Sequence, residues 1–188
     1  AAVEAYDVAG SIEILVNNAG IAGPTAPCEE VTVEEWDETM AVNLRGTFLL
    51  TREFIPGMKE VGYGRIVNIA SVTGKRPLYN RTPYAASKLG VIGFTRTLAV
   101  EVGAHDINVN AVCPGSVEGP RIDDVHRRQA EARGVPFEEV REEAKAQAAR
   151  KELVRGADVG EVVAFLCSDA AERITGQDVN VTAGKVMY

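Results

Sequence analysis

Cysteine and histidine are scarce in this sequence of 188 residues. The three cysteines, Cys28, Cys113 and Cys167, are widely separated and odd in number, so they predict neither a disulfide framework nor a metal site. The only histidines are His105 and His126, and no HExxH or CxxC motif occurs. We therefore expect no bound metal and a reduced, cytoplasmic setting.

Long apolar runs and excess positive charge are also missing. No run of about 18 apolar residues occurs, so no membrane span is expected. The opening residues AAVEAYDVAG lack the basic start and apolar core of a secretory signal. Lysine and arginine number 20 against 27 acidic residues, a net charge of −7, which argues against a nucleic-acid surface. A few local cations are still enough to hold a small anionic ligand.

Four short apolar runs predict the strands of a parallel sheet covered on both faces. A helix of about two dozen residues is expected from Val33, a second over residues 83–102, and a third from Asp158, where Asp158 and Glu161 form a capping pair. The order predicts one α/β domain, residues 1–188, with a Rossmann-like, doubly wound, three-layer α/β/α fold. The expected strands are residues 12–17, 65–70, 107–113 and 178–182.

The first helix has an apolar stripe that steps by three and four residues. We expect it to face the core, although it includes the polar Asn43, whose amide needs partners if buried. The stripe comprises Val33, Trp36, Met40, Asn43, Thr47, Leu50 and Phe54.

Residues 114–155 interrupt the alternation, since no strand is expected there and charges are dense. Residues 136–153 predict a helix, with acidic residues early, basic residues late and a narrow stripe of Val140, Ala144 and Ala148. An insertion after the carboxyl end of a strand lies where open α/β sheets bind ligands. We interpret it as a substrate-binding cover, with a solvated surface helix as the alternative.

Tyr84 and Lys88 lie four residues apart on a predicted helix, so both side chains share one face. A nearby ammonium favours the phenolate form, so the pair is suited to acid–base chemistry. An amphipathic surface pair is the alternative. Ser71 follows a predicted strand, and Asn17 and Pro114-Gly115 end two others. These residues therefore gather at the carboxyl edge of one sheet.

Together these motifs resemble the short-chain dehydrogenase/reductase family, over essentially the whole chain. The matching residues are NNAG at 17–20, Asn43 in VNLRGTF, Ser71 in NIASVTG, Tyr84-x-x-x-Lys88, and Pro114-Gly115. The resemblance implies an enzyme that interconverts an alcohol and a ketone or aldehyde with NAD or NADP.

The resemblance also implies a role for each residue. Tyr84 would exchange the alcohol proton, Ser71 would hold the substrate oxygen, and Lys88 would tune Tyr84 and bind the nicotinamide ribose. Asn43 would anchor a water that connects Lys88 to solvent. The residues implied to line the cofactor, besides Tyr84 and Lys88, are Asn17, Ala19, Gly20, Pro114, Gly115 and Val117.

The sequence departs from the family in two places. No glycine-rich turn for the pyrophosphate occurs, and the chain opens near the end of a helix, so we expect an N-terminally incomplete member that lacks the first β–α units and binds dinucleotide poorly. Gly119 stands where the family often has a threonine. A non-catalytic dinucleotide-binding or interaction module is the alternative, although folding does not require the Asn43, Ser71, Tyr84 and Lys88 set. A nucleoside- or methyl-donor-binding transferase would not need Tyr84 and Lys88.

Two further expectations concern partners. Small residues on the second long helix predict a homo-oligomer, a tetramer by resemblance, with packing of the glycines on their own sheet as the alternative. These residues are Ala85, Ala86, Gly90 and Gly93. Cations near the cleft predict an anionic substrate. The alternatives are pairing with nearby acids such as Glu118, Asp123 and Asp124, or a role in the subunit interface. These cations are Lys75, Arg76, Arg81 and Arg121.

Overall fold

The computed structural model describes residues 11–188 as a parallel sheet flanked by helices. The prediction that the chain opens near the end of a helix lies outside these residues. The four strands pair in the order β1-β2-β3-β4, all parallel, as the apolar runs predicted. The strands are β1 (Ile14–Asn17), β2 (Gly64–Ile69), β3 (Ile107–Pro114) and β4 (Asp178–Val181). The helices are α1 (Val33–Met40), α2 (Gly46–Val61), α3 (Thr82–Val102), α4 (Pro120–Arg133), α5 (Phe137–Ala146) and α6 (Gly156–Cys167).

Apolar side chains cover both faces of the sheet, which confirms the Rossmann-like three-layer α/β/α fold. On one face, Ile66 and Val109 pack against Phe54 and Met58 of α2 and Leu98 of α3. On the other face, the neighbouring strand residues Val67 and Val112 pack against Leu166 of α6. Successive side chains of a strand point to opposite faces, so the central strands β2 and β3 are buried along almost their whole length and are mainly apolar.

The long helix after β1 starts as predicted, but its apolar stripe was partly wrong. Thr32 and Glu35 form a capping box at its start, and a π-helical turn over Ala41–Arg45 joins α1 to α2. Val33, Trp36 and Leu50 of the predicted stripe are exposed. The buried face instead begins with four polar residues and ends with two apolar ones, in the order Thr39, Asn43, Thr47, Thr51, Phe54 and Met58.

The start of α6 also differs from the prediction. The helix begins at Gly156, with Arg155 as the N-cap, so Asp158 is the third helical residue rather than the cap. The Asp158 carboxylate accepts a hydrogen bond from the Arg155 backbone N–H at 2.9 Å and also binds the Arg155 guanidinium. Asp158 therefore forms a capping box with Arg155, and the predicted capping pair of Asp158 with Glu161 does not mark the start of the helix.

Residues 114–155 contain two helices, α4 and α5, where one was predicted. The predicted helix over residues 136–153 ends at Ala146, while its stripe of Val140, Ala144 and Ala148 is buried as expected. The segment contains no strand, and a single parallel bridge between Val117 and Val154 joins its two ends. The segment is therefore closed at its base and projects as a helical pair over the carboxyl edge of the sheet.

No helix among residues 11–188 is long and apolar enough to cross a membrane. In the same part of the chain, no group of three or more His, Cys, Asp or Glu side chains is arranged to hold a metal ion.

Candidate active site

Tyr84 and Lys88 occupy successive turns at the start of α3, as their spacing predicted. Lys88 is 4% exposed, and its ammonium group donates a hydrogen bond to the carbonyl oxygen of Ile69 at 2.7 Å. The Lys88 nitrogen lies 5.8 Å from the centre of the Tyr84 ring. Burial, with a smaller effect of the like charge on Arg121, lowers the pKa of Lys88 to about 8. This lysine is therefore a constrained cation beside the phenol that releases its proton more readily than an ordinary lysine.

The Tyr84 hydroxyl makes no hydrogen bond within residues 11–188, and the side chain is half-buried. The Arg81 guanidinium lies 5.0 Å from the centre of the Tyr84 ring, on a neighbouring position of the same helix start. Arg81 is itself anchored, since it donates to the carbonyl oxygen of Ala22 at 2.6 Å. The Tyr84 ring thus contacts Arg81, while the Tyr84 hydroxyl is available to hydrogen-bond a ligand.

Ser71 follows the end of β2 and caps the short 3₁₀ turn Val72–Gly74. Its hydroxyl oxygen accepts a hydrogen bond from the Thr73 backbone N–H at 3.1 Å. Because a serine hydroxyl can accept and donate at once, its proton is still available. Gly74 brings this turn against α3, since a Cβ there would lie 2.8 Å from the Lys88 carbonyl carbon.

Asn43 is fully buried in the π-helical turn between α1 and α2, and it has the partners that a buried amide needs. Its side chain accepts from the Ile21 N–H at 2.8 Å and donates to the Ile21 carbonyl at 3.1 Å. It also donates to the Ser87 hydroxyl at 3.0 Å. Asn43 therefore connects the loop after β1 to the helix that carries Tyr84 and Lys88.

Gly20 lies directly against this network. A Cβ at Gly20 would be 3.1 Å from the Asn43 side-chain oxygen and 3.5 Å from the Lys88 nitrogen. The Asn17 side chain points elsewhere, because its amide donates to Thr51 at 3.0 Å and to Asn68 at 2.8 Å in the buried interior. Any contact of Asn17 with a ligand is therefore left to its backbone.

A cavity of about 730 Å³ opens at the carboxyl edge of the sheet. Its lining includes Ser71, Tyr84 and Lys88 together with Pro114, Gly115 and Val117, so six of the predicted residues share one space. Asn43 lies behind this wall, and Asn18 lines the cavity where Asn17, Ala19 and Gly20 do not. A cavity of this size is in the range of small-molecule and cofactor sites.

Comparison with known proteins identifies the family. The family described as enoyl-(acyl carrier protein) reductase matches residues 1–185. The chain is 38% identical, over 177 residues, to D-beta-hydroxybutyrate dehydrogenase of Rhizobium meliloti, an alignment that covers 93% of this chain and 68% of that protein. The chain belongs to the short-chain dehydrogenase/reductase family.

Solved structures agree with this assignment. An actinorhodin polyketide ketoreductase with NADPH is 38% identical, with a TM-score of 0.95 over 100% of this chain and 72% of that one. An NAD⁺-bound xylitol dehydrogenase is 26% identical, with a TM-score of 0.92 over 95% of this chain and 71% of that one. As a short-chain dehydrogenase/reductase, the protein is an oxidoreductase.

The glycine that departs from the family pattern has a structural reason here. Gly119 precedes α4 with φ of 138° and ψ of 176°, a region of backbone space that is essentially restricted to glycine. A threonine in this short-chain dehydrogenase/reductase would therefore be strained at position 119. Gly119 lines the cavity and sets the direction in which residues 120–133 leave the sheet.

The four predicted cleft cations separate into two groups. Lys75 binds the Asp178 carboxylate at 2.7 Å and Asn180 at 3.0 Å, so its prediction as a ligand-facing cation was wrong. Arg81 lines the cavity but is held by Ala22. Arg76 and Arg121 line it too, and neither forms an ion pair in the part of the chain that the structure describes. Pairing of these two arginines with nearby acids is therefore not observed.

Sequence reasoning missed Ser87, Gly74 and Lys185. Ser87 accepts from Asn43 and donates to the Tyr84 carbonyl at 2.8 Å, and a small polar residue beside Lys88 was the available signal. Gly74 was visible as a glycine three residues after Ser71. Lys185 follows β4 and reaches the cavity from the C-terminal tail. Nothing in the local sequence marks Lys185 as part of the site.

Proposed function

We propose that this protein interconverts an alcohol and a ketone or aldehyde by hydride transfer with NAD or NADP. The observation that carries the proposal is that Ser71, Tyr84 and Lys88 line one cavity while Asn43 braces the wall behind them. Three of these four side chains carry a proton that can be shared with a ligand. A fold alone requires no such arrangement.

The residues present fit a nicotinamide. Gly20 leaves free the space that a side chain would fill beside Lys88, and Pro114, Gly115 and Val117 line the same cavity as Tyr84. When bound, the dinucleotide supplies or accepts the hydride. Lys88 would hold the nicotinamide ribose, and backbone of residues 17–20 would lie along the cofactor.

The protein supplies the proton and the position. In reduction, the Tyr84 hydroxyl donates its proton to the carbonyl oxygen as that oxygen gains negative charge, and in oxidation the phenolate takes the proton back. The free Ser71 proton donates to the same oxygen. Lys88 has one proton engaged by Ile69, which leaves two for the phenol and the ribose. Asn43 would hold the water that returns protons from solvent.

Titration with NADH and NADPH, followed by nicotinamide fluorescence, tests this proposal most cheaply. We expect weak but saturable binding of at least one dinucleotide, and oxidation of that dinucleotide when a ketone is added. Binding without turnover of any ketone or aldehyde would instead favour a dinucleotide-binding module. An absence of binding would contradict the proposal.

We also propose that the protein works in the cytoplasm as a homotetramer, with the outer faces of α2 and α3 at a subunit interface. Gly93 supports this idea because a Cβ there would meet open space, whereas one at Gly90 would collide with Leu44 of the same chain. The same faces expose apolar side chains at Phe48, Leu49, Leu89 and Val100. Apolar patches of this kind mark association sites. Light scattering that finds only monomer at micromolar concentration would contradict the proposal.

We also propose that the substrate is anionic, as the sequence predicted, but with fewer cations to bind it. Lys75 and Arg81 are engaged within the protein, so Arg76 and Arg121 remain of the four predicted cations.

A further inference from the structure

We propose that Arg76 and Lys185 form an oxyanion clamp in the active-site cavity that selects substrates carrying a carboxylate or phosphate. The proposal rests on the reductase function above, since it assigns the substrate class of the same site. The two side chains come from separate elements, the loop after Ser71 and the tail after β4, and both line the cavity that contains Tyr84.

The backbone of both residues is held by hydrogen bonds. The Arg76 N–H donates to the Val72 carbonyl at 2.8 Å, which folds the residue back onto the turn that begins at Ser71. Lys185 follows two residues of positive φ, Ala183 at 52° and Gly184 at 83°, and its own N–H donates to the Thr182 carbonyl at 3.1 Å. This tight turn sends Lys185 back toward the cavity instead of along the strand.

The turn at Gly184 is also fixed by the covering segment. A Cβ at Gly184 would lie 2.6 Å from the Cβ of Ala149, and the Arg150 N–H donates to the Ala183 carbonyl at 3.1 Å. The segment that covers the cavity and the tail that carries Lys185 are therefore packed together. These contacts from residues 149 and 150 help to hold the turn that precedes Lys185.

Neither cation is neutralised by the protein. Between Ser11 and Tyr188, Arg76 and Lys185 make no ion pair and no side-chain hydrogen bond. Burial, followed by the like charge on Arg76, lowers the pKa of Lys185. Two cations therefore line one cavity without a counterion, which is unfavourable until an anion binds there. The net charge of the protein is −7, so the lack of a counterion beside these two cations does not come from a shortage of acidic residues.

Two carboxylates, Glu118 and Glu143, line the cavity, and neither forms an ion pair with Arg76 or Lys185 in the described part of the chain. Glu143 binds the Arg133 guanidinium at 2.7 Å. Glu118 is exposed and is close enough to Arg155 to contribute to its raised pKa. Acidic residues near the cavity thus do not take the place of a ligand between Arg76 and Lys185.

His126 adds a third polar group to the clamp. It is 3% exposed, lines the same cavity, and its Nδ1 has no hydrogen-bond partner within the described chain. Burial, opposed by Asp123 and reinforced by Lys185 and Arg141, lowers the pKa of His126. A neutral imidazole here adds no further repulsion and can donate or accept one hydrogen bond.

The test compares ketones that differ only in charge. Acetoacetate is paired with methyl acetoacetate, and dihydroxyacetone phosphate with dihydroxyacetone, each assayed with the preferred dinucleotide at low and high salt. We expect a higher kcat/KM for an anionic member, mainly through KM, and a loss of that preference at high salt as the charges are screened. A preference in only one pair identifies carboxylate or phosphate as the group that binds.

Variants then assign the preference to the clamp. Lys185→Met and Arg76→Gln should each lower kcat/KM for the preferred anion by roughly 10- to 100-fold, while the neutral partner changes less than about threefold. Lys185→Arg should keep the preference, and KM for the dinucleotide should not change. The matched control is Lys59→Met, which removes an exposed lysine of α2 outside the cavity. Equal loss for both members of a pair, or an unchanged preference in Lys185→Met, overturns the clamp.

A protein that reduces none of these ketones contradicts the proposed function rather than the clamp. Saturation-transfer NMR with acetoacetate and inorganic phosphate then decides the clamp separately. Binding by the wild type that is lost in Lys185→Met supports the clamp. Absence of binding, or binding that Lys185→Met retains, overturns it.

Discussion

The Lys88 ammonium group donates a hydrogen bond to the Ile69 carbonyl oxygen at 2.7 Å. This contact ties the helix that carries Tyr84 to the last residue of β2, two positions before Ser71. The phenol, the serine hydroxyl and the ammonium group are therefore fixed relative to the carboxyl edge of one sheet. This arrangement buries Lys88, and burial lowers the pKa of its ammonium group.

The first prediction concerns the pH dependence of stability. The pKa of Lys88 is about 8 in the fold against 10.5 for an ordinary lysine, so the folded protein binds this proton more weakly than the unfolded chain. The contribution of Lys88 to the free energy of unfolding should therefore rise with pH between about 8 and 10.5. The full rise is about 3 kcal/mol.

Urea denaturation across this pH range checks the Lys88 prediction. In Lys88→Met the rise should disappear, whereas Lys59→Met should follow the wild type. Arg121→Gln should move the start of the rise to higher pH, since a neighbouring positive charge has been removed. Parallel curves for wild type and Lys88→Met would contradict this account.

The second prediction concerns Asn43. Asn43→Leu keeps a similar volume but leaves the Ile21 N–H and carbonyl without their partner and removes a donor from Ser87. We expect the free energy of unfolding to fall by about 3 kcal/mol, because buried polar groups without partners are costly. The control is denaturation of Asn18→Ala, which changes an exposed asparagine in the loop after β1 that also contains Ile21. A loss below about 1 kcal/mol would show that the bridge is not needed for folding.

The third prediction is that Lys75 stabilises the fold through Asp178 and does not contribute to substrate preference, unlike Arg76 and Lys185. Burial alone would raise the pKa of Asp178, but hydrogen bonds from Lys75 and Arg96 outweigh it and lower that pKa. Lys75→Met should cost about 2 kcal/mol at pH 7 and leave the preference between charged and neutral ketones unchanged. The stabilisation is present above the unfolded pKa of about 3.9 and is lost as pH falls through the lower folded value.

Denaturation of Lys75→Met between pH 2 and pH 7 is the corresponding measurement, and its difference from the wild type should close at the acid end. Lys145→Met, which removes an exposed pair with Glu142, should cost far less. A change in substrate preference in Lys75→Met would mean that Lys75 does face the ligand.

Much of the fold and part of the site could be predicted from local patterns. Apolar runs predicted the four strands, and the carboxyl ends of parallel strands meet at one edge, so Ser71 and Pro114 were expected near each other. The i, i+4 spacing placed Tyr84 and Lys88 on one helix face. These inferences succeed because they depend on periodicity and chain direction alone.

Features that depend on tertiary contacts were not accessible in the same way. The Asn17 amide turns inward because Thr51 and Asn68 offer it partners, which strand spacing does not reveal. Lys185 lines the cavity after a left-handed turn at Ala183 and Gly184, which local sequence patterns do not reveal. Lys75 was assigned to the cleft because its neighbours are cleft residues, whereas its actual partner, Asp178, is distant in sequence.

Replacement of Tyr84 by phenylalanine tests the central claim most directly. The hydroxyl has no partner within residues 11–188, so its removal should leave the fold and the ring contacts of Arg81 and Lys88 in place. Steady-state turnover should fall nearly to zero, while the dissociation constant of the preferred dinucleotide stays within a few-fold of the wild type. Retention of more than about a tenth of the wild-type kcat, a barrier change under roughly 1.4 kcal/mol, would contradict the acid–base role of Tyr84.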